Sequence, residues 1–329
     1  MNILQGLKNT YNFIVTPDSA ITEIPRHIGF IMDGNRTPMK QLASLGNEKV
    51  IHYLSQNPDL AGYTITTHKN FYRIITPFGH TYEIDLNFPG GLGYIAGYER
   101  MRKVIDLCLK YKVQVASFWG LSTDNIEKRP QAELQVIYEI IEKETARMAQ
   151  EAQESGIRIE VVGNREKLAQ LSSGDLPGSV LEALDSAVVQ TSHNTRMTTA
   201  MILAYGGRDE IHWAHRASMF QIVQRSDFPH NASEEEIRAY IDRIATEEQF
   251  ASNVESHQKL GDLDILVRTG SGNDGTVRTS GFFPYADYAE IYQFPGSWLD
   301  FREKAFRRML IAYGRADRKF GGESSRNSA

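Results

Sequence analysis

Strand-length apolar runs alternate with helix-period segments along most of this chain, and that alternation constrains its fold more than any other feature. Residues 27–32, 113–119, 157–162, 197–203 and 263–267 read as strands. Between them, residues 99–111 carry apolar side chains at Met101, Val104, Ile105 and Cys108. Residues 132–151 carry them at Leu134, Ile137, Ile141 and Met148. Both follow the 3.6-residue helical period, and Pro130 suits a helix start. Strands separated by helices pair in parallel, with the helices on the sheet faces. The expected fold is α/β: one domain over residues 1–329, with a central, mostly parallel sheet ringed by helices.

Two segments break the rhythm. Within residues 42–90, the runs 63–67, 71–76 and 80–86 read as short strands. Lys69-Asn70 and Pro77-Phe-Gly79 supply the turns. This predicts a β-rich insertion, a small antiparallel meander. The end, residues 321–329, is polar and expected to be disordered.

Charge and composition exclude several classes. The net charge of -5 gives no basic surplus for nucleic acid. The single cysteine, Cys108, cannot form an internal disulfide and sits at a core position of a helical pattern. No run approaches the ~20 apolar residues of a membrane span, and the first residues lack a secretory h-region. The expectation is a cytoplasmic protein whose membrane contact, if its substrate is a lipid, is peripheral.

The chemistry gathers after the strands. Asp33 follows the first apolar run, in Ile31-Met-Asp-Gly-Asn-Arg36. Open α/β sheets bind ligands outside the carboxyl ends of their strands. A carboxylate there suits Mg²⁺ held against a diphosphate. Gly34 would let the backbone approach phosphate oxygens. A plain capping Asp is the competing explanation. Other strand ends carry Ser122, Asn125 and Arg129, then Gly163-Asn-Arg165, Tyr205-Gly-Gly-Arg-Asp209, and Arg268 with Arg278 and Ser280. Singly, each Arg suits a solvated surface. Together, arginines, hydroxyls and an amide suit diphosphate, since Arg forms paired charge-assisted hydrogen bonds to phosphate.

These pieces carry a resemblance. His27-Ile-Gly-Phe-Ile-Met-Asp-Gly-Asn35, Ser117-Phe-Trp-Gly-Leu-Ser-Thr-Asp-Asn125 with Arg129-Pro130, and Ala204-Tyr-Gly-Gly-Arg-Asp-Glu-Ile211 come in that order. Asp262-Leu-Asp-Ile-Leu-Val-Arg-Thr-Gly270, Tyr288-Ala-Glu-Ile-Tyr292, Ser297-Trp-Leu-Asp-Phe301 and Arg318-Lys-Phe-Gly-Gly322 follow. The series resembles the cis-prenyltransferases, the undecaprenyl diphosphate synthase family. The resemblance implies a homodimer that condenses isopentenyl diphosphate with an allylic diphosphate, using Mg²⁺. It implies that Asp33 and Glu290 hold the metal, and that Asn35, Ser122 and Asn125 position the reacting groups. It implies that Arg268, Arg278 and Ser280 bind isopentenyl diphosphate, with Lys319 completing the site across the dimer. Arg36 and Arg129 are further substrate-binding candidates. Leu134, Ile137 and Ile141 are candidates for an apolar tunnel, with plain core the favoured role for most of them.

The chain departs from the family on the allylic side. Where the family has Asp-Gly-Asn-Gly-Arg, this chain has Asp33-Gly-Asn-Arg-Thr37. The family's Arg-x-x-Gly-His is Tyr94-Ile-Ala-Gly-Tyr98. Arg36 is placed to substitute for the displaced Arg. An unusual allylic substrate, a short product or irregular coupling would fit these changes. The alternative is a partner subunit that no longer catalyses. A more remote one, an aspartate-nucleophile phosphatase, needs a second Asp where the chain has Asn35. The insertion is expected to pack beside or over the substrate mouth, with a plain surface elaboration the equal alternative.

Overall fold

The computed structural model describes residues 18–174, 176–270, 278–279 and 281–316. Ser280, Lys319 and the end segment 321–329 lie outside them. In chain order the strands are β1 (His27–Ile31), β2 (Thr64–Thr67), β3 (Phe71–Ile75), β4 (Thr81–Asp85) and β5 (Val115–Ser122). They continue as β6 (Ile157–Val162), β7 (Met197–Tyr205), β8 (Ile265–Thr269) and β9 (Glu290–Phe294). Six of them form one sheet in the order β6-β7-β5-β1-β8-β9, and every pairing in it is parallel. Strands β2, β3 and β4 form a separate antiparallel sheet. The α/β architecture with an inserted meander is therefore as expected.

Strand β1 is buried along its whole length, as a strand covered on both faces must be. One face packs Phe30 and Phe118 in a stack with centroids 4.9 Å apart, above Trp298 and Phe301. The other packs Ile31, Val115, Ile202 and Leu266 on Phe282 and Phe283. The chain leaves β1 toward β5 on one side, whereas β8 leads to β9 on the other. That reversal opens a crevice at the carboxyl ends of β1 and β8.

Helices α1 (Arg36–Ala43) and α2 (Asn47–Ser55) precede the meander, so the insertion's first part is helical rather than β-rich. Next come α3 (Gly90–Lys110), α4 (Thr123–Lys128) and α5 (Gln131–Ser155). Periodicity places the start of α3 near Glu99; the structure starts it at Gly90. The opening glycines are poor helix formers, but tertiary contact requires them. A Cβ on Gly93 would lie 2.1 Å from the Asn35 carbonyl oxygen. The close approach of α3 to the turn after β1 outweighs local propensity.

Helix α3 ends in a Schellman motif. The N–H of Val113 donates to Cys108 O at 2.9 Å, and that of Lys112 to Leu109 O at 3.2 Å. Lys112 takes the left-handed conformation there, with φ 62. Its side chain is exposed. Lys112→Gly therefore relieves backbone strain without loss of packing. It should raise stability by about 1 kcal/mol, read as a higher urea midpoint at unchanged slope.

His27, at the start of β1, is fully buried. Its Nδ1 faces Asp262 O at 3.1 Å and its Nε2 faces Ser117 Oγ at 2.9 Å. A carbonyl only accepts, so Nδ1 carries the proton and Nε2 accepts from the hydroxyl. Burial pushes the imidazole down to about 4. The unfolded chain then binds a proton near pH 6.5 that the folded chain refuses until about pH 4. Stability is full above the unfolded pKa and is lost as pH falls through this window. From pH 7.5 to 5, the wild type should lose about 2 kcal/mol more than His27→Gln, measured by urea denaturation.

Candidate active site

Asp33 sits in the crevice, immediately past β1. Its backbone is fixed from two directions. The Asp33 N–H donates to Thr269 Oγ1 at 3.0 Å, and Thr269 Oγ1–H donates back to Asp33 O at 2.8 Å. The Trp298 N–H also donates to Asp33 O, at 3.0 Å. With its peptide held, the half-exposed carboxylate points outward and meets Arg268 Nη2 at 3.0 Å. Gly34 is left-handed, with φ 89. A Cβ there would meet Ser297 Cα at 3.0 Å and Gly270 Cα at 3.2 Å. Its N–H is taken by Asp33 Oδ1. The glycine thus serves the close packing of three loops.

Asn35 donates from Nδ2 to Met32 O at 3.1 Å, and its Oδ1 is buried without a partner. Strand β5 carries irregular register against β7 around Leu121, which re-aims its end toward the crevice. There Ser122 and Asn125 form a capping box on α4. Asn125 N–H donates to Ser122 Oγ at 3.0 Å, and Ser122 N–H to Asn125 Oδ1 at 3.4 Å. The cap uses only acceptor atoms. The Ser122 hydroxyl hydrogen and the Asn125 NH₂ group remain as donors.

Glu133, in the first turn of α5, is the residue sequence reasoning missed. It is buried and gathers three partners. Arg36 Nη1 lies 2.9 Å from Glu133 Oε1, Arg129 Nη1 lies 3.2 Å from it, and the Tyr94 hydroxyl donates to the same oxygen. Tyr94 also accepts from Arg129 Nη1 at 3.0 Å. Burial raises the phenol well above its ordinary value, so it stays a neutral donor. The usable signal was the Arg129-to-Glu133 spacing of four at a helix start.

These groups rim a cavity of about 450 Å³. Asp33, Asn35, Arg36, Ser122, Asn125, Arg129 and Arg268 lie at its polar end. Ile137, Ile140 and Ile141 of α5 face Tyr98 and Met101 of α3 at its apolar end, with Met201 and Leu203 of β7. Of the tunnel candidates, Ile137 and Ile141 line it, while Leu134 is core. No residue of the 42–90 insertion lines it. Arg278 does not line the cavity; its carbonyl accepts from Arg268 Nη1.

Glu290 is placed elsewhere. It opens β9, level with Ile265 at the start of β8. Asp33 lies beyond Ile31, which is level with Arg268. The two carboxylates are thus at opposite ends of the strands, about 15 Å or more apart. Within one chain they cannot share a cation bonded at about 2.1 Å, which corrects the expected pair. The described residues contain no cluster of three His, Cys, Asp or Glu suited to a metal.

With this geometry, the comparisons are decisive. The family model described as "Putative undecaprenyl diphosphate synthase" matches residues 86–321. The chain belongs to this family. It is a prenyl transferase. The isoprenyl transferase of Listeria innocua is 30% identical over 233 residues, 69% of this chain and 82% of that protein. The isoprenyl transferase of Streptococcus pneumoniae is 26% identical over 302 residues, 92% of this chain and 93% of that protein. In fold, the chain is similar to lavandulyl diphosphate synthase from Lavandula x intermedia, solved with dimethylallyl diphosphate. The TM-score is 0.63 at 22% identity, covering 92% of this chain and 100% of that one.

Against the family's pattern, the two departures at Tyr94 and Tyr98 have structural partners here. Tyr94 joins the Glu133 cluster, and Tyr98 donates to Glu144 O at 3.2 Å. Glu133→Gln leaves Arg36 and Arg129 without their shared counter-charge. Arg36 is 40% exposed, so the loss is below that of a fully buried pair. About 2 kcal/mol is expected, read from urea denaturation at pH 7.

Proposed function

We propose that this enzyme joins isopentenyl diphosphate to an allylic diphosphate by Z-type chain elongation, with Mg²⁺. The observation that carries the proposal is the cavity's two-ended chemistry. Guanidinium, hydroxyl and amide donors surround one end, and aliphatic side chains line the other. An amphiphile with an anionic head and a branched hydrocarbon tail matches both. The dimethylallyl diphosphate in the lavandulyl diphosphate synthase structure is such a molecule, and the shared fold supports this assignment.

Arg36 and Arg129, held by Glu133, are assigned to the allylic diphosphate. Arg268, Arg278 and Ser280 are assigned to isopentenyl diphosphate. Asn35, Ser122 and Asn125 orient the reacting diphosphates. Arg36, Arg129, Arg268 and Arg278 are set against Asp33 and Glu133, and Asp124 is paired with Lys128 at 2.9 Å, which leaves the rim only a small positive charge. That is too little to neutralise two diphosphates. A divalent cation fits the remainder: Mg²⁺ prefers one or two carboxylates completed by phosphate oxygens and water. Asp33 is the residue assigned to hold it, and the buried Oδ1 of Asn35 adds an unpaired acceptor nearby. When bound, Mg²⁺ offsets charge growing on the departing diphosphate.

The reaction then balances without a redox partner. The allylic C–O bond breaks with its electron pair on the diphosphate. The alkene of isopentenyl diphosphate supplies the electrons of the new C–C bond, and a proton leaves its C2. The arginines hold both heads in register, an orientation effect. The aliphatic walls of α3 and α5 exclude water from the developing carbocation. A homodimer is assigned as well, on the family resemblance that names Lys319 for the site across it. The enzyme is assigned to the cytoplasm, with peripheral lipid contact; no helix among the described residues is long and apolar enough to cross a membrane.

The test uses purified protein, Mg²⁺, labelled isopentenyl diphosphate and allylic diphosphates of several lengths, with products identified by mass spectrometry. Asp33→Ala should lower kcat by about 10²–10³-fold while the circular dichroism spectrum is unchanged. A loss under about tenfold removes Asp33 from the metal role. No product with any primer, alone or with a co-expressed homologue, defeats the proposal.

A further inference from the structure

The insertion lies behind the cavity, on the outer faces of α3 and α5. Four of its side chains reach a buried charge cluster there. The Tyr82 hydroxyl donates to Glu144 Oε1 at 2.8 Å, and His80 Nδ1 lies 2.9 Å from the same oxygen. The Tyr63 hydroxyl donates to Glu99 Oε1 at 2.7 Å. The Phe78 ring covers the Arg147 guanidinium, 4.1 Å from its centroid. Arg147 in turn joins Glu144 of its own helix α5 to Glu99 of α3. Glu99 and Glu144 are 3% exposed and Arg147 is 9% exposed.

The cluster is therefore a clamp between the two helices that wall the apolar end of the cavity. Its strength depends on what covers it. In water the attraction within the Arg147 pairs is screened; in a dry site it is several times stronger, and exposing or removing one partner is costly because it strands a buried charge. The meander supplies the cover and the extra donors. The clamp also touches the cavity wall directly. Tyr98 lines the cavity, donates to the Glu144 carbonyl at 3.2 Å, and has the Arg147 guanidinium 5.6 Å from its ring centroid. Along α5, Glu144 lies one turn beyond Ile140 and Ile141, the last residues of that helix to line the cavity.

We propose that the inserted meander sets the depth and width of the hydrocarbon end of the cavity: by covering the Glu99–Arg147–Glu144 clamp it fixes the α3–α5 spacing and the Tyr98 ring, and so selects the length of allylic chain. Tyr82 and His80 are positioning residues, acting through Glu144 and Tyr98. This rests on the prenyl-transfer assignment above. It also replaces the placement beside or over the mouth expected from sequence, since the insertion acts from behind the wall.

The test compares His80→Gln/Tyr82→Phe with wild type. Tyr72→Phe is the control: its hydroxyl donates to Asn47 Oδ1 at 2.6 Å inside the insertion, away from the clamp. Calorimetry with Mg²⁺ measures binding of unreactive thiolodiphosphate analogues with five-, ten- and fifteen-carbon allylic chains. Steady-state assays give KM for isopentenyl diphosphate. The double variant should change the affinity ratios among chain lengths by about fivefold or more, with KM for isopentenyl diphosphate unchanged. Tyr72→Phe should keep the wild-type ratios. Unchanged ratios in the double variant, or an equal shift in the control, overturn the proposal. If the double variant fails to fold by circular dichroism, Tyr82→Phe alone is judged by the same ratios. Wild-type protein that binds none of the analogues defeats the underlying assignment, a result read before any variant.

Discussion

The site depends on the locked turn after β1. Strand β1 is held between β5 and β8, and the Asp33 peptide just beyond it is fixed because Thr269 and Trp298 both bond to it. Each hydrogen bond is worth only about 1 kcal/mol. Their geometry persists because Trp298 is buried completely beneath Phe30, with its indole N–H donating to Gly97 O at 2.8 Å. One aromatic side chain thereby ties the Asp33 turn, helix α3 and the core together. The carboxylate is positioned by packing at a distance, and α3 brings Gly97 against the Asn35 side chain.

The cavity is assembled by a second rule, in which buried carboxylates gather arginines. Glu133 collects Arg36 and Arg129 at the mouth, and Glu99 and Glu144 share Arg147 behind the wall. The mouth pairs leave Arg36 half open, ready for an anionic head group. The inner pairs are sealed and serve geometry. The same chemistry yields binding in one place and rigidity in the other, and burial decides which.

The strand ends were legible in the sequence because apolar runs and the residues after them are local features. Asp33, Ser122, Asn125, Arg129 and Arg268 all meet at one cavity. Glu133 was missed despite its spacing of four from Arg129, since a Glu in a first helical turn usually serves the helix dipole. The glycine run that opens α3 argued against a helix, and only the approach of Asn35 explains it. Glu290 was assigned to the metal through the family motif, but strand register puts it at the far end of the sheet from Asp33.

By itself, the sequence determined the alternating elements, the parallel sheet and the polar residues that follow each strand, because periodicity and turn chemistry act over a few residues. Tertiary structure alone decided which of those residues face one another. Strand order, the register of β8 and β9, and the crossing of α3 and α5 are long-range packing outcomes. They made Glu133 an anchor, turned the insertion into a brace behind the cavity wall, and separated Glu290 from Asp33 within the chain.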